Sequence, residues 1–136
     1  MLNARALCFA IVFGGVACGR GDVATVPRTL AEELRGTWSE SVPLLGIANV
    51  VTLQVSDTTI SGTGTYAIEA GQPGTIIVSG VITGATVNFD MARSNGWTGH
   101  FRGTLSTAGR LTGISWYESA WSHGDPAPAS FQRTGP

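Results

Sequence analysis

From residue 36 onward the chain alternates between apolar and polar positions. Trp38, Glu40 and Val42 share one parity of Gly36–Val42, and Val51, Leu53 and Val55 share one parity of Asn49–Val55. A period of two sends successive side chains to opposite faces of a pleated strand, so each stretch predicts a strand with one buried face. In Thr59–Glu69, Ile60, Gly62, Gly64, Tyr66 and Ile68 stand opposite Ser61, Thr63 and Thr65. Thr75–Thr83 is apolar on parts of both faces, and Thr86–Met91 turns Val87, Phe89 and Met91 inward. Trp97–Leu105 sets Trp97, Gly99, Phe101, Gly103 and Leu105 against Thr98, His100, Arg102 and Thr104. Leu111–Glu118 is a seventh strand whose inward face alternation leaves open, and Ser130–Thr134 is a short eighth. "AGQPG", "GA", "SNG" and "STAGR" punctuate the series, and the longer "SAWSHGDPAPA" (Ser119–Ala129) precedes the last strand. Alternating runs divided by such turn residues predict an antiparallel meander.

Before the first strand the period is helical. In "TLAEEL", Thr29 stands three residues ahead of Glu32, the spacing of a capping box, with Leu30 and Leu34 on one face. One or two helical turns are expected there, plugging one end of the sheet. Eight sequential strands leave two edges exposed unless the sheet closes, so the fold class is an all-β, eight-stranded antiparallel up-and-down barrel. Glycines inside strands, at Gly62, Gly64, Gly80, Gly99, Gly103 and Gly113, weaken a flat sheet but suit strongly coiled strands. A membrane-spanning barrel would want about nine to eleven residues per strand and aromatic girdles, and several of these strands are shorter.

The first 17 residues read as a signal peptide. Arg5 precedes the apolar run "ALCFAIVFGGVA", too short for the roughly 20 residues of a spanning helix. Gly15 and Ala17 place small residues for a cut before Cys18, a site that resembles the lipobox of bacterial lipoproteins, with Gly15 in place of the usual Leu. The resemblance implies a lipid on the Cys18 thiol and, with Gly19 next, an outer-membrane address. Cys8 would leave with the signal, so no disulfide framework is expected. The chain divides into a signal peptide (1–17), a tether (18–28) and one barrel domain (29–136).

Composition narrows the partners. The 136 residues carry a net charge of −1, with every basic side chain an arginine. There is no basic stripe, which argues against nucleic acid. "RGD" at Arg20–Asp22 lies in the tether and is read as chance.

Gly36-Thr37-Trp38 on the first strand, with Arg133 on the last, resembles the calycin superfamily of lipocalins, avidins and small bacterial protease inhibitors. That resemblance implies that Trp38 closes the barrel floor and Arg133 packs across it. "GTGTY" (Gly62–Tyr66), "WTGHF" (Trp97–Phe101), "ISW" (Ile114–Trp116) and Phe131 are similar to the avidin branch. On that alignment Tyr66 matches a ureido-binding tyrosine and Trp116 a pocket tryptophan. Glu40 replaces an asparagine, Phe89 or Met91 another pocket tryptophan, Arg93 and Asn95 a hydroxyl pair, and Ala129 an aspartate. Biotin's ureido group would lose several buried partners, so the resemblance implies the scaffold rather than that cargo.

Catalytic constellations are weak. Ser122-His123-Gly124-Asp125 holds triad residue types, but neighbours in one loop cannot align as nucleophile, base and orienter. His100 and His123, with Asp125 or Glu118, lack metal-ligand spacing, and His100 has outward parity. No metal, cofactor or catalytic residue is expected. Glu40 has the parity of Trp38 and is read as a rim residue in contact with water. The expected function is an exported, lipid-anchored envelope barrel that binds a small apolar or amphipathic ligand without catalysis. Its expected site residues are Glu40, Tyr66, Phe89, Trp97, Trp116 and Trp121, with Ser119–Ala129 as a lid. The alternative is a filled barrel that captures an envelope protein through its loops, as protease inhibitors of this type do.

Overall fold

Eight strands run once around a closed barrel, each antiparallel to its neighbours, with the last paired to the first. This is a computed structural model, and it describes residues 28–42, 46–68, 71–106 and 109–136. The expected signal peptide, Cys18 and all of the expected tether but Arg28 lie outside the described residues. A helix, α1 (Leu30–Leu34), precedes β1 (Gly36–Val42), β2 (Ile47–Ser56), β3 (Thr59–Ile68) and β4 (Gly74–Thr83). The sheet continues through β5 (Thr86–Arg93), β6 (Thr98–Leu105), β7 (Arg110–Glu118) and β8 (Ala127–Gly135).

The all-β barrel is the architecture the alternation predicts, and the strand ends show where local signals mislead. β8 begins at Ala127, inside the stretch expected to be a loop. Pro128 is accommodated near the start of that strand, opposite Ile114, where one missing backbone donor costs little. β5 runs on to Arg93, two residues past its expected end, and its side chain points into the barrel rather than into a turn. Gly96, at φ 86°, supplies the left-handed residue that closes this hairpin.

One end of the barrel is solid. α1 carries the capping box: Thr29 N–H donates to Glu32 Oε2 (2.8 Å) and Glu32 N–H to Thr29 Oγ1 (3.2 Å). Five residues are too few to hold a helix by propensity, so packing fixes it. Leu34 is fully buried against the barrel, and Arg35 donates twice to the Val55 carbonyl (3.1 and 2.8 Å). Trp38 is also fully buried, its indole N–H donating to the Leu34 carbonyl at 2.8 Å. Arg133 sits across the β1–β8 pair from Trp38, its guanidinium 5.7 Å from the indole centroid, and donates to the Arg35 carbonyl. Above this floor Phe89, Phe101 and Phe131 interlock at 5.0–5.5 Å between ring centroids, among Val51, Leu53, Val87 and Leu111. Offset and edge-on contacts of this kind add to simple area burial.

Truncating Trp38 to alanine removes the largest side chain of the floor and the bond to Leu34. A loss of about 3–5 kcal/mol is expected. Arg133→Ala removes a cation–π contact and a cap on the plug, and should cost about 0.5–2 kcal/mol. Chemical denaturation of both variants checks this order; an unchanged midpoint for Arg133→Ala would show that the floor does not use the guanidinium.

Candidate functional site

The other half of the interior is polar. Inward positions of β1, β2, β3, β5 and β7 deliver Glu40, Asn49, Tyr66, Arg93, Ser115 and Tyr117 to one layer. Glu40 and Asn49 are direct partners across β1 and β2, so their side chains meet by register alone. Asn49 Nδ2 donates to Glu40 Oε2 (2.6 Å) and to the Tyr117 hydroxyl oxygen (2.9 Å). The Tyr117 hydroxyl donates to the same Glu40 oxygen (3.0 Å), and the Ser115 hydroxyl donates to Oε1 (3.4 Å). On the far side of the amide, Asn49 Oδ1 accepts from Arg93 Nη2 at 2.7 Å. Asn49 therefore stands between a carboxyl and a guanidinium and binds both.

Glycines make this layer possible. Tyr66 lies directly across from Gly74 on β4, and Tyr117 directly across from Gly99 on β6. A Cβ at Gly74 would collide with the Tyr66 ring and hydroxyl, and one at Gly99 would stand 2.5 Å from Tyr117 Cε1. Laid over those gaps, the two rings hold the Arg93 guanidinium, 5.0 Å from the Tyr66 centroid and 4.4 Å from that of Tyr117. Arg93 is only 7% exposed, and among the described residues its buried Nε–H has no acceptor.

Burial governs the protonation of the layer. Glu40 is 0% exposed, and desolvation raises its pKa above the ordinary 4.5, against the opposing pull of Asn49, Tyr117, Arg93 and Ser115. The Tyr117 phenol is likewise pushed up by burial and by the neighbouring carboxyl. Burial lowers the Arg93 pKa, partly offset by Tyr117, Glu40 and Tyr66.

Above the layer opens a cavity of about 560 Å3. Ile47, Ile68, Trp97, Ala127 and Pro128 supply apolar lining, with Arg93, Ser115 and Tyr117 on its polar side. Ser122, Gly124 and Asp125 bring the β7–β8 connection over the mouth.

The site residues expected from sequence separate into four places. Glu40 is not at a wet rim; it is sealed inside, because Asn49, Ser115 and Tyr117 satisfy its oxygens. Tyr66 belongs to the polar layer and Trp97 to the cavity. Phe89 is not a cavity wall: the register sets it against Gly80 and Phe101 in the filled half. Trp116 borders the cavity, yet its indole stacks outside on His100, at 5.0 Å and 18° between ring planes. Trp121 is 95% exposed. His100 faces outward without being free: Asp90 Oδ1 lies 2.6 Å from Nδ1 and Glu118 Oε1 2.9 Å from Nε2. His123 is exposed, its Nδ1 directed at the Gly124 carbonyl (2.8 Å). Among the described residues no group of three His, Cys, Asp or Glu side chains is placed to hold a metal.

Asn49, Ser115 and Tyr117 went unrecognised in sequence, where Arg93 stands only as a replacement for one of a hydroxyl pair. Asn49 shares the parity of Val51, Leu53 and Val55, a usable signal. Gly99 opposite Tyr117 and Gly103 opposite Gly113 mark the inward parity of β7 once register is known, which sequence alone does not provide. Compared with known proteins, the chain matches no family model, no curated protein and no solved structure.

Glu40→Gln keeps the shape and the acceptor for Asn49 and Tyr117. The folded pKa of Glu40 is raised, so the folded state binds the extra proton and wild-type stability falls as pH rises above 4.5 through the folded pKa. Glu40→Gln should therefore be more stable than wild type at about pH 8, with the advantage vanishing below the unfolded pKa. Urea midpoints of both proteins across pH check the sign; a constant difference would mean that Glu40 does not titrate as burial dictates.

Proposed function

We propose that the barrel is a non-catalytic binding protein that holds one small apolar or amphipathic molecule in its open end. The observation that carries this reading is the cavity of about 560 Å3, apolar on most of its lining with a few convergent polar groups at one side. Such size and lining are those of small-molecule sites, which fall in the range of about 300–1,000 Å3. The asymmetry of the interior supports it as well, since the phenylalanine-filled half gives a rigid floor and the cavity opens beyond the polar layer. The calycin-like motifs at Trp38 and Arg133 favour the same use of the scaffold. Fluorescence titration with N-phenylnaphthylamine, a neutral apolar dye, tests it. Wild type should bind the dye, and Ala127→Phe, which places a ring in the mouth, should weaken binding about tenfold or more, near 1.4 kcal/mol, with the fold intact.

A second reading rests on Trp121, whose 95% exposure beside His123 and Asp125 makes it a ready anchor for an envelope protein. Failure of wild type to bind the dye would transfer the proposal to this loop.

The address belongs to the proposal too. The apolar run ending in Gly15-Val16-Ala17 before Cys18 supports export and lipid attachment to that thiol, with the barrel held at the bacterial outer membrane. Cys18→Ser should move the protein from the detergent phase to the aqueous phase. Mass spectrometry that finds an unmodified Cys18 at the mature N-terminus would refute the anchor.

A further inference from the structure

We infer that the cavity takes an anionic amphiphile, with a carboxylate, sulfonate or phosphate head against Arg93 and an apolar body between Ile47, Ile68 and Trp97. This rests on the carrier reading and adds the chemistry of the cargo. A guanidinium has five N–H donors in a planar fork that matches the two oxygens of an oxyanion. In Arg93, which lines the cavity, one Nη2 donor goes to Asn49 Oδ1, and the buried Nε–H has no acceptor among the described residues. The Nε–H is sealed from the cavity, but Nη1 makes no hydrogen bond among the described residues and is not a buried atom, so its donors are the ones an oxyanion in the cavity can meet.

The surroundings favour an anion over a neutral acceptor. Glu40 is the nearest candidate counter-charge, but its oxygens are already taken by Asn49, Tyr117 and Ser115, and Asn49 separates it from the guanidinium. Burial also disfavours the charged form of Glu40, which weakens it as a counter-charge for Arg93. Tyr66 and Tyr117 offer Arg93 their ring faces rather than a full negative charge. Asp125 opposes an incoming anion, but it is an exposed residue at the mouth, where water and salt screen it, whereas Arg93 acts in a low-dielectric interior. Asp90, His100 and Glu118 satisfy one another on the outer face of the sheet.

Two dyes with the same aromatic body separate this inference from the reading beneath it. Anilinonaphthalene sulfonate carries a permanent negative charge, and N-phenylnaphthylamine carries none. The full-length protein should bind the sulfonate more tightly than the neutral dye by about tenfold or more, the worth of a charge-assisted hydrogen bond. Arg93→Met should bring that ratio to about one, as the fork and its charge are lost. Glu40→Gln, which preserves the layer's shape and removes the opposing carboxyl, should keep the ratio or increase it, and it serves even if Arg93→Met does not fold. A wild-type ratio near one, a ratio unchanged in Arg93→Met, or a ratio lost in Glu40→Gln overturns the anionic head while leaving the carrier reading in place. If neither dye binds wild type, both fall.

Discussion

The interior of an eight-stranded barrel is too narrow for large side chains to face one another everywhere, and this steric limit organises the molecule. Phe89 lies across from Gly80, Tyr66 from Gly74 and Tyr117 from Gly99. Each aromatic ring uses the space its cross-strand partner lacks. Where three phenylalanines meet above Trp38, the space is filled and the barrel has a floor. Where the rings are tyrosines laid against glycines, they leave a shelf, and the cavity begins above it. One packing rule thus yields a solid half and an open half from strands of similar composition.

The shelf carries the main electrostatic cost of the fold. A buried ion pair gains stability only if its remaining donors and acceptors are met, because desolvation removes much of the Coulombic gain. Here Asn49 divides the pair and serves both members, its amide nitrogen to Glu40 and its oxygen to Arg93. Glu40 receives three donors and Arg93 lies between two rings, but among the described residues the Arg93 Nε–H remains unmet. A polar layer built this way ties five strands together and fixes which groups face the cavity. It also places the Arg93 side chain at the wall of the cavity.

Outside, the sheet follows a different logic. Asp90, His100 and Glu118 bridge β5, β6 and β7, with Trp116 stacked over the imidazole. The residue types that suggested chemistry in the sequence are engaged there with one another, while the residues with an unsatisfied requirement lie inside.

The sequence by itself determined the strand series, the closed all-β barrel and the capped helix, because alternation, turn residues and the Thr29–Glu32 spacing are local physical signals. It also put Trp38, Val51, Val87 and Phe101 on the buried face, since parity survives without knowledge of partners. The site was only partly legible. Tyr66 and Trp97 carried inward parity, and Glu40 did too, but whether an inward carboxyl meets water or a partner depends on the strand beside it. Asn49, Arg93 and Tyr117 are separated by dozens of residues along the chain, and only closure of the barrel brings them within hydrogen-bonding distance. The inward face of β7 had the same origin: its alternation is ambiguous, and pairing with β6 decides it by setting Tyr117 over Gly99 and Trp116 over His100. Local pattern fixes which residues form strands; the register around the closed sheet decides which side chains meet, because contacts across strands arise from tertiary pairing and not from sequence separation.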